Sequence, residues 1–214
     1  ESLPEPARSG GLADDAVMMY TSGTTSRAKA VLLTNANIVH AAMVYQRLMG
    51  TTEHDSTVIP VPIYHVTGLV ALLTQFVLAG APIYLHRRFD ARRLLETVRE
   101  RGITYLHASP TAFEKVLALR DEFPELPSLR ALLSGSSYEP VSKMRAFHAW
   151  LPACAFQVVY GLTETASPAL LFPFDSPTSI YAGATGKPVP GVEVRIVDDA
   201  GAEIEVGSVG EIML

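Results

Sequence analysis

The chain has 214 residues, 48% of them hydrophobic and 18% charged, which suits one large domain or two small ones with a sizeable buried core. Lys and Arg number 17 against 22 Asp and Glu, a formal net charge of −5; without a basic run, this disfavours nucleic acid and anionic membrane as partners. A single cysteine, Cys154, excludes an internal disulfide framework and a multi-cysteine zinc site, fits a reducing compartment, and makes the cytoplasm the expected location.

The chain opens on Glu1 with no basic segment leading into an apolar one, so no signal peptide is read, and it is expected to be a piece cut from a longer protein. Residues 1–13 carry two prolines and paired glycines and are expected to be a linker. From Asp14 the pattern alternates. Val17 to Tyr20 reads as a strand, a Ser/Thr/Gly loop follows, and Asn37 to Met49 has apolar residues near helical spacing. Thr57 to Val61 reads as a strand and Val66 to Leu78 as an apolar helix, then Pro82 to His86 as a strand and Ala91 to Arg101 as an amphipathic helix. The apolar stretch Gly68 to Leu85 is interrupted by Thr74, Gln75, Gly80 and Pro82, so it reads as helix then strand, not as a membrane span.

Ile103 to Ala108, Leu129 to Leu133 and Ala155 to Tyr160 are further expected strands, separated by helices over Pro110 to Leu119 and Val141 to Trp150. Such alternation predicts an α/β fold with a mostly parallel sheet and flanking helices over 14–182, with ligand sites at the carboxyl ends of the strands. Residues 183–214 change to Gly/Pro turns and short alternating runs, which predicts the start of a small β subdomain.

The first loop, Thr21-Ser22-Gly23-Thr24-Thr25-Ser26-Arg27-Ala28-Lys29-Ala30, has the composition of a phosphate cradle. Small residues let backbone N–H groups approach an anion, hydroxyls donate to phosphate oxygens, and Lys29 supplies a point charge. It is not a P-loop, because Ala28 and Ala30 stand where that pattern needs Gly and a magnesium-binding hydroxyl. A second cluster, Tyr160-Gly161-Leu162-Thr163-Glu164, offers an aromatic face, close backbone approach, a hydroxyl donor and a hard oxygen ligand for magnesium. The six histidines never reach zinc-site spacing, and Ser134 to Ser137 lacks a nucleophile elbow.

The string YTSGTTSRAK closely resembles the signature YTSGTTGxPKG of the adenylate-forming enzymes, the superfamily of acyl-CoA synthetases, luciferases and peptide-synthetase adenylation domains. Tyr160 to Glu164 resembles that family's YGxTE segment. Pro62 to Gly68 is similar to its aromatic-His acyl-site segment, and Ser134 to Pro140 to its adenine-site loop. The likeness spans most of 16–214 and continues through Gly183 to Asp198.

The resemblance implies a two-step ligase. A carboxylate attacks the α-phosphorus of ATP with magnesium to give an acyl-adenylate, and a thiol, usually of CoA, then takes the acyl group. It implies that Thr21, Ser22, Gly23, Thr24, Thr25, Ser26 and Lys29 hold the outer phosphates. Gly135, Ser136, Ser137, Tyr160 and Gly161 would take the nucleoside side, Thr163 the α-phosphate, and Glu164 magnesium, with Lys29, Thr163 and Glu164 as the catalytic group. Tyr64, His65 and Gly68 would line the acyl site. The amino-acid-activating branch has an aspartate where His65 falls, so a plain carboxylic acid, fatty or aryl, is expected.

Ser26, Ala28 and Ala30 depart from the family's Gly, Pro and Gly, and a non-glycine residue at 26 or 30 is costly if that position needs a positive φ. The family's ribose-binding aspartate segment, hinge and C-terminal catalytic lysine fall beyond this chain, so the polypeptide alone is expected to be inactive and to self-associate through uncovered apolar surface. A non-catalytic nucleotide- or acyl-binding relative of the same fold stays open as the alternative.

Overall fold

The computed structural model describes residues 10–21 and 28–214. The first apolar run folds as β1 (Asp15–Thr21), but outside the main sheet: it pairs antiparallel with β2 (Lys29–Thr34), where the sequence pattern had suggested only the end of a loop. Alternation explains the hairpin. Met19 and Leu33 point inward and join Ile38, Val66, Val70 and Ala166 in an apolar cluster, while Met18 and Leu32 face outward as cross-strand partners. Ala30 pairs with Tyr20 in this ladder. Its backbone is extended, so no glycine is needed there and the strain considered for that position does not arise.

Helix α1 (Asn35–Met49) begins at a Thr34 capping box closed by Asn37 and ends at Gly50, whose φ of 59° is left-handed. Five parallel strands follow: β3 (Thr57–Ile59), β4 (Ile83–Leu85), β5 (Tyr105–Ala108), β6 (Ala131–Ser134) and β7 (Ala155–Tyr160). Two short antiparallel strands, β8 (Leu170–Leu171) and β9 (Lys187–Pro188), extend the sheet to seven in the order β4-β3-β5-β6-β7-β8-β9. The chain steps from β3 outward to β4 and then returns to the other side of β3 as β5. This reversal is the switch point at which open α/β sheets form their ligand crevice.

Alternation along the strands sorts two cores. Leu106, Leu132 and Phe156 face α3 (Ala91–Arg101), α4 (Pro110–Leu117) and α5 (Val141–Trp150), packing on Leu95, Phe113 and Phe147. Tyr105, Leu133 and Val159 face the other way, onto Tyr45, Leu72 and Phe76. The expected helix from Val66 is a π-helical segment, Thr67–Thr74, running into α2 (Gln75–Ala79). No described helix is long and apolar enough to cross a membrane. Beyond the sheet, β10 (Arg195–Val197) and β11 (Glu211–Met213) form a separate antiparallel pair.

At the amino ends of the strands, away from the crevice, Arg130 clamps Asp55. Its Nε donates to Oδ1 at 2.6 Å and an Nη to Oδ2 at 2.9 Å, while the other Nη reaches the Met49 carbonyl at 3.0 Å. Burial alone would raise the Asp55 pKa, but the Arg130 bonds, helped by Thr52 and Thr104, hold the carboxyl below its usual range. Arg130→Ala leaves that carboxylate buried and unpaired, and is expected to cost about 3 kcal/mol in urea unfolding at pH 7. Because the folded-state pKa is depressed, this stabilisation is fully present above the unfolded value and is lost as pH falls through the folded one. The gap between variant and unmodified chain therefore closes in acid.

Candidate functional site

A cavity of about 370 Å³ opens at the carboxyl ends of β5, β6 and β7, bounded by the turn after β3 and by the Thr21–Lys29 end of the β1–β2 hairpin. Hairpin register brings Thr21 opposite Lys29, and both line the cavity. Gly135 and Ser136 enter from the end of β6, and Gly161, Thr163 and Glu164 from the end of β7. A Cβ at Gly135 would lie 2.8 Å from the Val159 side chain, so glycine keeps this floor open. Ser136 holds a φ of 72°, which turns the backbone sharply at the rim.

His65 completes the wall. Its Nδ1 accepts the Thr67 N–H at 3.2 Å, which leaves Nε2 to carry the proton in the neutral ring, and burial lowers its pKa. Two further residues, His107 and Ser167, line the same cavity and escaped the sequence pattern. His107 sits on β5 beside Leu106 but faces the opposite side, edge-on to Tyr45 with ring centroids 6.0 Å apart. Burial, with the nearby His65 adding to it, pushes its pKa down to about 3, so the ring is neutral throughout the ordinary pH range. Its Nδ1 is buried without a hydrogen-bond partner. Ser167, at a φ of 42°, has its hydroxyl 2.9 Å from that of Tyr45, a buried phenol whose pKa burial raises. Neither stands just past a strand end, since His107 lies within β5 and Ser167 between β7 and β8; the missing signal was which face of β5 turns toward α1.

A second cavity of about 350 Å³ adjoins the first, sharing Ser136 and Gly161, and is lined by Ser137, Tyr138, Tyr160 and Gly183. Glu139, which also lines it, is buried and accepts a hydrogen bond from the Ser134 hydroxyl, and burial raises its pKa despite that bond. The structure thus gathers Thr21, Lys29, His65, Gly135, Ser136, Gly161, Thr163 and Glu164 around one cavity, and Ser137 and Tyr160 around its neighbour. Tyr64 and Gly68 lie elsewhere: Tyr64 is 82% exposed, and Gly68 is buried in the π-helical segment. Ser22, Gly23, Thr24, Thr25 and Ser26 fall outside the described residues, as does most of the expected linker. Cys154 is buried, its thiol pushed up to about 12 by burial, and it stands apart from both cavities.

The donors fit a nucleotide. Hydroxyls, a lysine and glycines that admit close backbone approach converge beside one carboxylate, Glu164, the only one lining the first cavity among the described residues. No three His, Cys, Asp or Glu residues cluster among the described residues. Magnesium suits such a site, because it is held by one or two carboxylates together with phosphate and water.

Comparison with known proteins agrees with this geometry. A family described as AMP-binding enzyme matches residues 3–214. The chain is 36% identical over 203 residues to a 2-succinylbenzoate–CoA ligase of Bacillus licheniformis, covering 94% of this chain and 41% of that protein. An indoleacetate–CoA ligase of Aromatoleum aromaticum is 31% identical, with 92% and 38% covered. Among solved structures, the o-succinylbenzoate coenzyme A synthetase of Bacillus subtilis in complex with ATP and magnesium superposes with a TM-score of 0.84 at 30% identity, over 94% of this chain and 41% of that one. The chain therefore spans about two fifths of the length of these relatives. With the family model matching almost end to end and the crevice built from the same motif residues, this chain belongs to the AMP-binding enzyme family.

Proposed function

We propose that the chain is the nucleotide- and acid-binding core of an ATP-dependent acid–CoA ligase. The observation that carries this reading is the convergence of Lys29, Thr163 and Glu164 with His65 and His107 on a single cavity. On this reading Thr21 and Lys29 take the outer phosphates, Thr163 the α-phosphate, and Glu164 holds magnesium, which when bound neutralises phosphate charge. The adjoining cavity receives the base between the faces of Tyr138 and Tyr160. The α/β core is 14–182, and 183–214 begins a small β unit that contains the β10–β11 pair.

The acid enters beside two neutral imidazoles. Neither repels an apolar body, and among the described residues no carboxylate besides Glu164 lines the cavity to pair with a substrate ammonium, which favours a plain carboxylic acid. Relatives named for 2-succinylbenzoate and indoleacetate favour an aryl acid over a straight-chain fatty acid. Positioning and charge neutralisation dominate adenylate formation, so the residues act by holding the carboxylate and the α-phosphate together. CoA is the thiol acceptor, and turnover belongs to the longer protein. Calorimetric titration with ATP tests this: saturable binding with magnesium, weakened at least tenfold by a chelator, is expected, and no binding in either condition would refute it.

A further inference from the structure

The first cavity is graded from rim to floor. Its charged liners, Lys29 and Glu164, are exposed, whereas Val66, Thr67, His107, Gly135, Val159 and Ser167 are buried. An acid whose carboxylate meets the α-phosphate beside Thr163 therefore sends its other end into a floor that carries no charged side chain among the described residues.

Ser167 is held there from several sides. Its backbone N–H donates to the Leu162 carbonyl at 3.3 Å, its Oγ is 3.3 Å from the place a Cβ would take at Gly161, and the same Oγ is 2.9 Å from the Tyr45 hydroxyl. Tyr45 is fully buried on α1, and Ser167 is the only hydrogen-bond partner of its phenol among the described residues. A buried O–H needs an acceptor, so the phenol donates to Ser167. The serine's own proton then has no acceptor among the described residues, and the space that Ser167 lines is the cavity. Accepting from the phenol also strengthens the serine as a donor.

His107 supplies a second donor. Its ring is neutral and its Nδ1 is buried without a partner, while Nε2 lies against Gly135, 3.4 Å from the place of the missing Cβ. A proton on Nε2 leaves Nδ1 as an orphan acceptor, a lesser defect than an orphan N–H, and directs the donor to the floor beside Gly135.

We propose that Tyr45 is a positioning residue for acid selection: it fixes the Ser167 hydroxyl as a donor which, with His107, binds an uncharged carbonyl oxygen at the end of the acid remote from its carboxylate. The proposal rests on the ligase reading given above. Two donors suit a ketone, whereas an apolar group leaves both unpaired. A second carboxylate would be buried without a counter-charge, because Lys29, the one lysine or arginine lining the cavity among the described residues, stands at the rim.

The test is calorimetric titration of the full chain, unmodified, as Tyr45→Phe and as Ser167→Ala. The ligands are MgATP and the acyl-sulfamoyl adenosines of three phenylacetic acids that differ only in the group para to the acid arm: acetyl, its apolar isostere isopropenyl, and carboxylate. The unmodified chain is expected to bind the acetyl compound roughly tenfold or more tighter than either of the others. Both variants are expected to lose that preference while binding the isopropenyl compound and MgATP as before, which a merely structural role for Tyr45 would not produce. A preference that survives in Tyr45→Phe would overturn the proposal, and so would an unmodified chain that favours the carboxylate. If Tyr45→Phe does not fold, Ser167→Ala decides, and a preference that survives there overturns the proposal equally. An unmodified chain that binds MgATP but shows no preference among the analogues sinks this proposal alone. If it binds none of the four ligands, the ligase reading fails with it.

Discussion

Gly68→Ala is expected to destabilise the chain by about 3 kcal/mol, the upper range for forcing atoms into a filled core. A Cβ built at Gly68 would collide with the Pro62 carbonyl oxygen and lie 2.9 Å from its carbon. That oxygen is not free to move, because it accepts the His65 N–H at 3.1 Å and so closes the turn that carries the histidine. The His65 carbonyl in turn accepts the Leu69 N–H at 3.0 Å, tying the turn to the π-helical segment. The added methyl must therefore break this link, lowering the urea midpoint and loosening His65 together. A midpoint unchanged from that of the unmodified chain would show that the close approach is absent. Gly68 thus bears on the position of His65 through packing, not through contact with the cavity.

The second large effect is on binding without a change in fold. Lys29 and Glu164 are exposed at the ends of β2 and β7, so replacing them is expected to move stability by less than about 0.5 kcal/mol. On the proposed reading Lys29→Ala would remove a charge-assisted bond to phosphate, worth about 1.5–3 kcal/mol, and is expected to weaken MgATP roughly 10- to 100-fold. Glu164→Gln keeps shape and hydrogen bonding but not charge, so ATP affinity should lose its dependence on magnesium while metal-free binding stays the same. Calorimetric titrations with and without a chelator separate the two. Equal magnesium dependence in Glu164→Gln and the unmodified chain would place the metal ligand elsewhere.

Much of the architecture was legible because local rules and tertiary packing agree. Asp90 caps and Gly102 terminates α3, so its bounds follow from the sequence; α5 and β7 likewise match their apolar periods. Other elements were not legible, the two-residue strands β8 and β9 among them. β2 follows a loop rich in hydroxyls, and Lys29 and Ala30 dilute its alternation; only pairing with β1 makes it a strand. The segment Thr67–Thr74 is almost uniformly apolar, so it has no periodicity from which a π-helical winding could be read.

The site divides the same way. Thr163 and Glu164 lie in a contiguous segment and are singled out by its resemblance to a family motif. His107 and Ser167 are not, because each acts through a neighbour distant in sequence, Tyr45 on α1. Tyr64 and His65 stand next to each other in one motif yet face different cavities, a distinction set by the turn's direction and invisible to spacing.

The claim that one crevice holds both nucleotide phosphates and the acid is tested most directly by competition. The chain is saturated with MgATP and titrated with a non-hydrolysable adenylate analogue of an aryl acid, and the apparent affinity is followed as ATP concentration rises. The expected result is mutual exclusion at a single site, with analogue binding weakened by His107→Ala while ATP binding is spared. Simultaneous binding of both ligands, or an analogue that binds the His107 variant as well as the unmodified chain, would contradict the account.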